Sequence, residues 1–318
     1  MNKFKFYISL LIISTVVFAC QETTSTPEPI AIRPYAEQYA KDIDSITIYL
    51  KSHYIVKKMI DGQIDADILP LPADGSKVSI WDNTEFPLQH KIVKNDLRLY
   101  NAVDGRIDDQ VDYKMYYIIL NQGGGSNPAT TDSTYTTYKG WKLNNKVFDS
   151  NSTPLWSTYP AASAGELTLI SGYRQFVPLL KAASAKLVQN DGTVSFDNSG
   201  LGIVFLPSGL AYYSNYVASI PVYTPIVFKV GLHALRYRDH DRDGVMNADE
   251  DLNNDGDTFN DDSDGDNIPN FLDADDDGDL FLTRGEIKVN GVVPGYAQIL
   301  DCSGTTTGIK KHLDKNCH

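Results

Sequence analysis

The sequence predicts an α+β protein: an antiparallel sheet wrapped around one short helix, preceded by an N-terminal helix and followed by an irregular, acid-rich loop segment. Three observations carry that prediction. Short β-rich runs follow one another over 113–236 with a single helical interruption at 172–186. A helical apolar stripe lies upstream, at 36–53. Eighteen acidic residues against two basic ones, Arg242 and Arg284, crowd into 239–286. The chain of 318 residues has 28 Lys+Arg, 41 Asp+Glu and a formal charge of −13, so this one segment outweighs the acidity of the whole. Such a field repels nucleic acid and attracts cations, and no basic stripe interleaved with aromatics exists elsewhere, so nucleic acid is excluded as a partner. A composition of 42% hydrophobic and 11% aromatic residues excludes collagen-like and wholly disordered chains.

At the N-terminus Lys3 and Lys5 precede an apolar run from Phe6 to Phe18. That run is shorter than the roughly 20 residues a permanent span needs, and residues 1–19 read as an export signal. Val17-Phe18-Ala19-Cys20 resembles a bacterial lipobox. The resemblance implies that Cys20 is lipidated and that the chain is anchored to a membrane of the bacterial cell envelope, expected to be the outer one, at its periplasmic or surface face. Residues 20–33, rich in Thr, Pro and Glu, read as a flexible tether. With Cys20 used, Cys302 and Cys317 form an even pair in an exported chain, and a disulfide closing the tail over 288–318 is expected. Neither a C-x-x-C nor an H-E-x-x-H pattern is present, so zinc chemistry has no support.

Tyr39, Ile43, Ile46 and Leu50 share one helical face within 36–53. That face suits either a homodimer contact or packing on its own domain. The rest of an N-terminal region, 34–112, is mixed and polar, with Pro70, Pro72 and an Asp74-Gly75 turn signal. Beyond it, Tyr116–Leu120, Tyr135–Tyr138, Lys146–Phe148, Leu167–Ile170, Ile203–Leu206 and Ile226–Val230 read as strands. Within Gly172–Lys186, Tyr173, Phe176 and Leu180 share a side. Pro178 is tolerated only near a helix start, which predicts a start near 175.

Five motifs keep their order through this region: Tyr138-Lys139-Gly140; Val147-Phe148-Asp149-Ser150; Leu169-Ile170-Ser171-Gly172-Tyr173; Leu206-Pro207-Ser208-Gly209-Leu210-Ala211-Tyr212; and Ile220-Pro221 with Ile226-Val227-Phe228. Over about 120 residues the order resembles the FKBP-type peptidyl-prolyl cis-trans isomerases. The resemblance implies an FKBP-like domain over 113–236 that acts on proline-containing polypeptides without a cofactor for catalysis. Its pocket would be lined by Tyr138, Phe148, Leu169, Ile170, Tyr173, Tyr212, Ile220 and Phe228, with the proline ring over Tyr173 and Asp149 at the rim. The Ile170 backbone N–H and the Tyr212 hydroxyl would donate to the bound peptide. This chain departs from the family at two places: Tyr173 stands where the pocket floor is usually tryptophan, and Tyr213 where a glycine commonly follows the binding tyrosine. The stretch from Asn151 to Gly165 leaves open which of Leu155 or Trp156 replaces a further pocket aromatic. A non-catalytic peptide-binding or adhesion module is the alternative from another class.

The acidic segment, 237–287, opens with Asp239, Asp241 and Asp243 before Gly244, then Val245, Asn247 and Glu250. That is the D-x-D-x-D-G-x₅-E loop of an EF-hand, in which carboxylates at positions 1, 3 and 5, a carbonyl at 7 and a bidentate Glu at 12 surround a hard cation. Asp251, Asp262 and Asp273 then recur every 11 residues, opening sets with Asn253 and Asp255; Asp264 and Asp266; Asp275 and Asp277. A last loop takes Asp275, Asp277, Asp279, the Phe281 carbonyl, Thr283 and Glu286, with Leu280 at the usual glycine position. The spacing resembles the aspartate repeats of thrombospondin type 3, which implies structural calcium. Ile268, Phe271, Leu280 and Leu282 are expected as small core residues, since a solvated acidic tail would need neither them nor Gly244, Gly256 and Gly278 at the turns.

Overall fold

The computed structural model describes residues 31–60, 62–161 and 167–317. The signal, Cys20 and most of the tether lie outside those residues. The chain divides into Met1–Arg33 and Pro34–His318, and the architecture is that of the second unit.

Helix α1, Tyr35–Ser52, follows Pro34, whose fixed φ suits a helix entry, and has Glu37 in its first turn and Lys51 in its last, each complementing the helix dipole. It packs on its own domain. Ile46 and Leu50 are fully buried, the Tyr39 hydroxyl accepts the Lys114 N–H at 2.9 Å, and Asp42 accepts both the backbone N–H and the hydroxyl of Ser208. The face offered for a homodimer is therefore covered within the chain. An antiparallel hairpin follows, β1 (His53–Ile60) with β2 (Gln63–Pro70).

The main sheet has six antiparallel strands in the order β3-β4-β9-β10-β5-β6. These are β3 (Gln89–Val93), β4 (Tyr113–Asn121), β5 (Ser133–Lys142), β6 (Val147–Ser157), β9 (Gly200–Leu206) and β10 (Ile226–Arg236), while β7 (Ala185–Val188) and β8 (Val194–Asp197) form a separate hairpin. The fold is α+β, mostly antiparallel sheet with few helices. Two expectations are corrected. Leu167–Ile170 forms no strand; Leu167 makes one parallel bridge to Ser157, and the chain then runs extended into a helix. That helix, α2 (Ser171–Phe176), starts four residues earlier than predicted, because Pro178 falls in a following 3-10 turn, Val177–Leu179, where its missing N–H is not needed.

The sheet is covered on both faces, so it does not merely wrap α2. Against one face, Tyr173, Phe176 and Leu180 pack with Tyr113, Met115, Val204, Leu206, Phe228 and Val230. Against the other, Ile46, Tyr49 and Leu50 of α1 and Ala66 of β2 pack with Ile118, Ile203, Phe205 and Val227. Alternation along β9 and β10 divides the two cores, since successive side chains point to opposite faces.

Candidate functional site

Phe228 on β10 is the hub of the aromatic cluster. Tyr173 of α2 meets it edge-on at 5.3 Å between centroids, Phe148 of β6 at 5.5 Å and Tyr138 of β5 at 5.9 Å. Tyr138 also stands edge-on to Tyr173 at 6.3 Å. The register explains the meeting: Gly140 is paired with Phe228 on one side and with Asp149 on the other. A Cβ at Gly140 would lie 2.4 Å from Phe148 Cζ and 2.8 Å from Phe228 Cε1, so only a glycine leaves room for both rings. Leu169, Ile170 and Tyr212 are half-buried against the same core, and Ile220 is buried within it. The eight apolar and aromatic residues singled out in the sequence therefore come together from five separated stretches.

Asp149 lies at the exposed rim and accepts the Tyr138 hydroxyl at 2.7 Å and the Ser150 N–H at 2.8 Å. Burial first, then the Asp149 carboxylate, pushes the Tyr138 phenol up to about 12. The same two causes, in that order, raise Tyr212, so both hydroxyls stay protonated as donors at neutral pH.

Tyr173 departs from the expected open floor. It is 2% exposed, its ring lies edge-on beside Tyr138 and Phe228, and its hydroxyl donates to Thr136 Oγ1 at 3.1 Å. The accessible part of the cluster is made by the half-buried Tyr138, Phe148, Leu169, Ile170 and Tyr212 with exposed Asp149. Tyr213 occupies a left-handed position, φ +48°, which accounts for the glycine preference there. Its ring stacks on Tyr35 at 4.3 Å and meets Tyr223 edge-on, so this chain uses the position to hold the start of α1. Trp156 stacks across the strands on Tyr135 and lies beneath the Arg236 guanidinium, whereas Leu155 is 44% exposed.

The residues around α2 tie this site to the acidic segment. Arg174 makes a bidentate pair with Asp96 at 2.8 Å and 2.8 Å, donates to the Leu169 carbonyl and stacks on Tyr159. Arg98, with a side chain 3% exposed, pairs with Asp257 at 3.3 Å and lies 4.0 Å above the Phe259 ring. Phe259 and Phe271 meet edge-on at 4.8 Å. Of the four residues expected there only Phe271 is such an anchor, and Phe259, which was not expected, is its partner. Phe271 is fully buried, whereas Ile268, Leu280 and Leu282 are 41%, 90% and 61% exposed.

Within the segment, carboxylates of Asp239, Asp241 and Asp243 converge, as do those of Asp262, Asp264 and Asp266, those of Asp275, Asp277 and Asp279, and those of Asp243, Glu250 and Asp276; each set has ligand atoms within 4.8 Å of one another. Asp251 accepts the N–H groups of Asp255 and Gly256, Asn253 accepts from Asp255, and Asp273 accepts from Asp275, the same loop turns that Asp262 and Asp264 make. The sequence reading missed Asp276 and Asp261, both buried; the only signal was the unbroken acidic run through Asp275 and Asp277.

Buried carboxylate oxygens without a hydrogen-bond partner occur at Asp239, Asp241, Asp243, Glu250, Asp261, Asp275, Asp276, Asp277 and Glu286. Burial first, then neighbouring carboxylates, pushes Asp241 up to about 8 and Asp276 up to about 9, and raises Glu250 well above the usual range. Orphaned, mutually repelling oxygens with no nitrogen or sulfur ligand among them are the donor set of a hard cation. The residues present fit calcium. At the C-terminal end Cys302 and Cys317 are disulfide-bonded, with Cα atoms 5.6 Å apart.

Among solved structures, the chain is similar to a peptidyl-prolyl cis-trans isomerase from Pseudomonas syringae pv. tomato strain DC3000, with 20% identity over 43% of this chain and 79% of that one and a TM-score of 0.29. It is similar to FkpA from Escherichia coli, with 22% identity over 38% of this chain and 48% of that one and a TM-score of 0.30. It is also similar to the N-terminal domain of FKBP42 from Arabidopsis thaliana, with 17% identity over 42% of this chain and 98% of that one and a TM-score of 0.30. No curated protein matches the chain. The family whose model matches is BamM C-terminal, over residues 240–309. The match takes in the acidic segment together with much of the tail, and it replaces the likeness to thrombospondin type 3 repeats that the aspartate spacing suggested.

Proposed function

We propose that the protein is an FKBP-type peptidyl-prolyl cis-trans isomerase that assists the folding of exported polypeptides, held to a membrane of the bacterial envelope by lipidated Cys20 and stiffened by structural calcium. The carrying observation is the Phe228-centred cluster with the Tyr138 hydroxyl on Asp149. Rotation about a peptide bond has a barrier of about 18–20 kcal/mol because resonance must be broken, and the twisted amide is less charge-separated than the planar one. An aromatic surface that strips water from the carbonyl therefore favours the twist, with no nucleophile required. Tyr138, Phe148 and Phe228 supply that surface, Tyr212 and the Ile170 N–H hold the peptide, and Asp149 with Tyr138 sets the polar rim. A gain of about 10⁴ in rate needs only roughly 5.5 kcal/mol of such preference.

Outer-membrane association is supported by the BamM C-terminal match, and lipid anchoring by the Val17-Phe18-Ala19-Cys20 motif. Structural calcium is supported by the orphaned carboxylates, and the ions would lie away from the aromatic cluster. A second reading, peptide binding without turnover, is favoured by the closed position of Tyr173.

An isomerisation assay on a proline-containing peptide separates the two. Acceleration over buffer that falls at least about tenfold in Tyr212→Phe and in Asp149→Ala is expected for the enzyme. Peptide binding with no acceleration would leave the binder.

A further inference from the structure

The first EF-hand-like loop lacks one of its own ligands. Position 9 of that loop is Asn247, and its side chain is turned into the protein: the Oδ1 atom accepts the His240 N–H at 3.1 Å, while Nδ2 contacts His240 Nδ1 at 2.7 Å and the Thr131 carbonyl at 3.4 Å. Asn247 is fully buried in that role. In its place a carboxylate arrives from the last loop. Asp276 brings an oxygen within 4.8 Å of oxygens of Asp243 and Glu250. All three residues are 2% exposed. Asp243 Oδ2, Asp276 Oδ1 and both oxygens of Glu250 have no hydrogen-bond partner. Four buried acceptors aimed at one another are costly unless a cation lies between them.

Asp276 is fixed from its own side. Its N–H donates to Thr283 Oγ1 at 3.2 Å and its Oδ2 accepts the same hydroxyl at 3.1 Å. Thr283 is position 9 of the last loop, so in both terminal loops that residue is diverted. The two loops already touch at their apolar edge, where Val245 and Ile287 share a small core, and the Arg284 guanidinium donates to the Arg242 carbonyl at 2.9 Å.

We propose that Asp276 is a ligand, donated by the last loop, to the cation of the first loop, so that one ion held by Asp239, Asp241, Asp243, Glu250 and Asp276 staples 239–250 to 275–286. The proposal rests on the calcium reading above and adds a residue and a coupling to it. One consequence is that the first loop's affinity depends on a residue outside that loop. Another is that the ion adds to the apolar and Arg284 contacts that close the residues between, 251–274, into a loop.

The test is calorimetric titration of the full chain with calcium chloride, for wild type, Asp276→Asn and Asp264→Asn, with melting curves in chelator and in calcium. For Asp276→Asn the tightest site is expected to weaken at least about tenfold, since ligand charge sets affinity in such loops. The same variant is expected to melt no lower than wild type in chelator, because it removes a buried carboxyl group crowded by those of Asp243 and Glu250, and below wild type in calcium. Asp264→Asn, which alters only the exposed set, is expected to leave the tightest site unchanged. Affinity within twofold of wild type in Asp276→Asn would overturn the assignment. A wild-type chain that takes up no calcium would overturn the underlying reading instead. Should the variant fail to fold, a calcium-bound crystal of the wild type decides: Asp276 Oδ1 is expected at about 2.3–2.6 Å from the ion, and a position out of contact with it overturns the proposal.

Discussion

Gly140 and Asp149, directly opposite one another on β5 and β6, fix the geometry of the aromatic site from its backbone. A methyl group at Gly140 has nowhere to go, with Phe148 and Phe228 both inside van der Waals contact. Gly140→Ala is therefore expected to destabilise the fold by about 1–3 kcal/mol, and to lower isomerisation further than the loss of folded protein explains. Circular dichroism melts beside the peptide assay measure both. His233 adds a pH dependence at this scale. It is half-buried between Thr137 Oγ1 and Ser199 Oγ, each at 2.9 Å, and its burial lowers it from 6.5 to about 4. The unfolded chain then takes up a proton that the folded chain refuses, so the contribution of His233 to stability is full above about pH 6.5 and falls as the pH drops toward 4. The loss approaches roughly 3 kcal/mol at the bottom of that window, and His233→Gln is expected to flatten the curve. Individual site residues were legible because aromatic type and order survive in the sequence. Closure over Tyr173 was not, since it depends on the hydroxyl reaching Thr136 across 37 positions.

Among the elements, α1 is held against the sheet by a buried polar anchor as well as by its apolar face. Asp42 is buried, accepts the Ser208 N–H and hydroxyl, and is itself bonded by Gln38 at 2.6 Å. Ser208 opens the turn that leads to Tyr212, so α1 reaches the candidate site through that turn. Asp42→Ala leaves buried donors without an acceptor and is expected to cost about 2–4 kcal/mol. It is also expected to weaken peptide binding with the Tyr212 hydroxyl still present, which titration with a proline peptide would detect; unchanged binding in the folded variant would separate α1 from the site. The amphipathic stripe of α1 was readable because a 3.6-residue period persists over 18 residues. The β1–β2 hairpin and the edge strand β3 were not read, although Asp61-Gly62 is a two-residue turn signal. Their strands mix Lys, Asp and Gln with the apolar residues, as half-exposed strands do, and β3 has four exposed residues of five.

At the scale of the whole molecule, the acidic segment and the sheet domain are joined by contacts that need the segment ordered. Asn267 bonds the backbone and side chain of Asp104, Arg98 reaches Asp257 and Phe259, and the Arg238 N–H donates to Asp132. Carboxyl groups crowded into 239–286 oppose that order by mutual repulsion, and divalent cations remove the opposition. The repeat of aspartates pointed to clustered carboxylates but not to this joint, because Arg98 and Phe259 stand 161 positions apart and neither carries a motif. Removing calcium with a chelator is therefore expected to lower the melting temperature by several degrees, through the binding free energy lost from the folded state. Amide exchange is expected to rise in 239–286 and, through the broken contacts, in 96–107. Amides of β9 and β10 should keep their protection, since those strands lie at the centre of the sheet between the two apolar cores. Faster exchange confined to 239–286, with 96–107 unaffected, would show that the loops order independently of the domain they rest on.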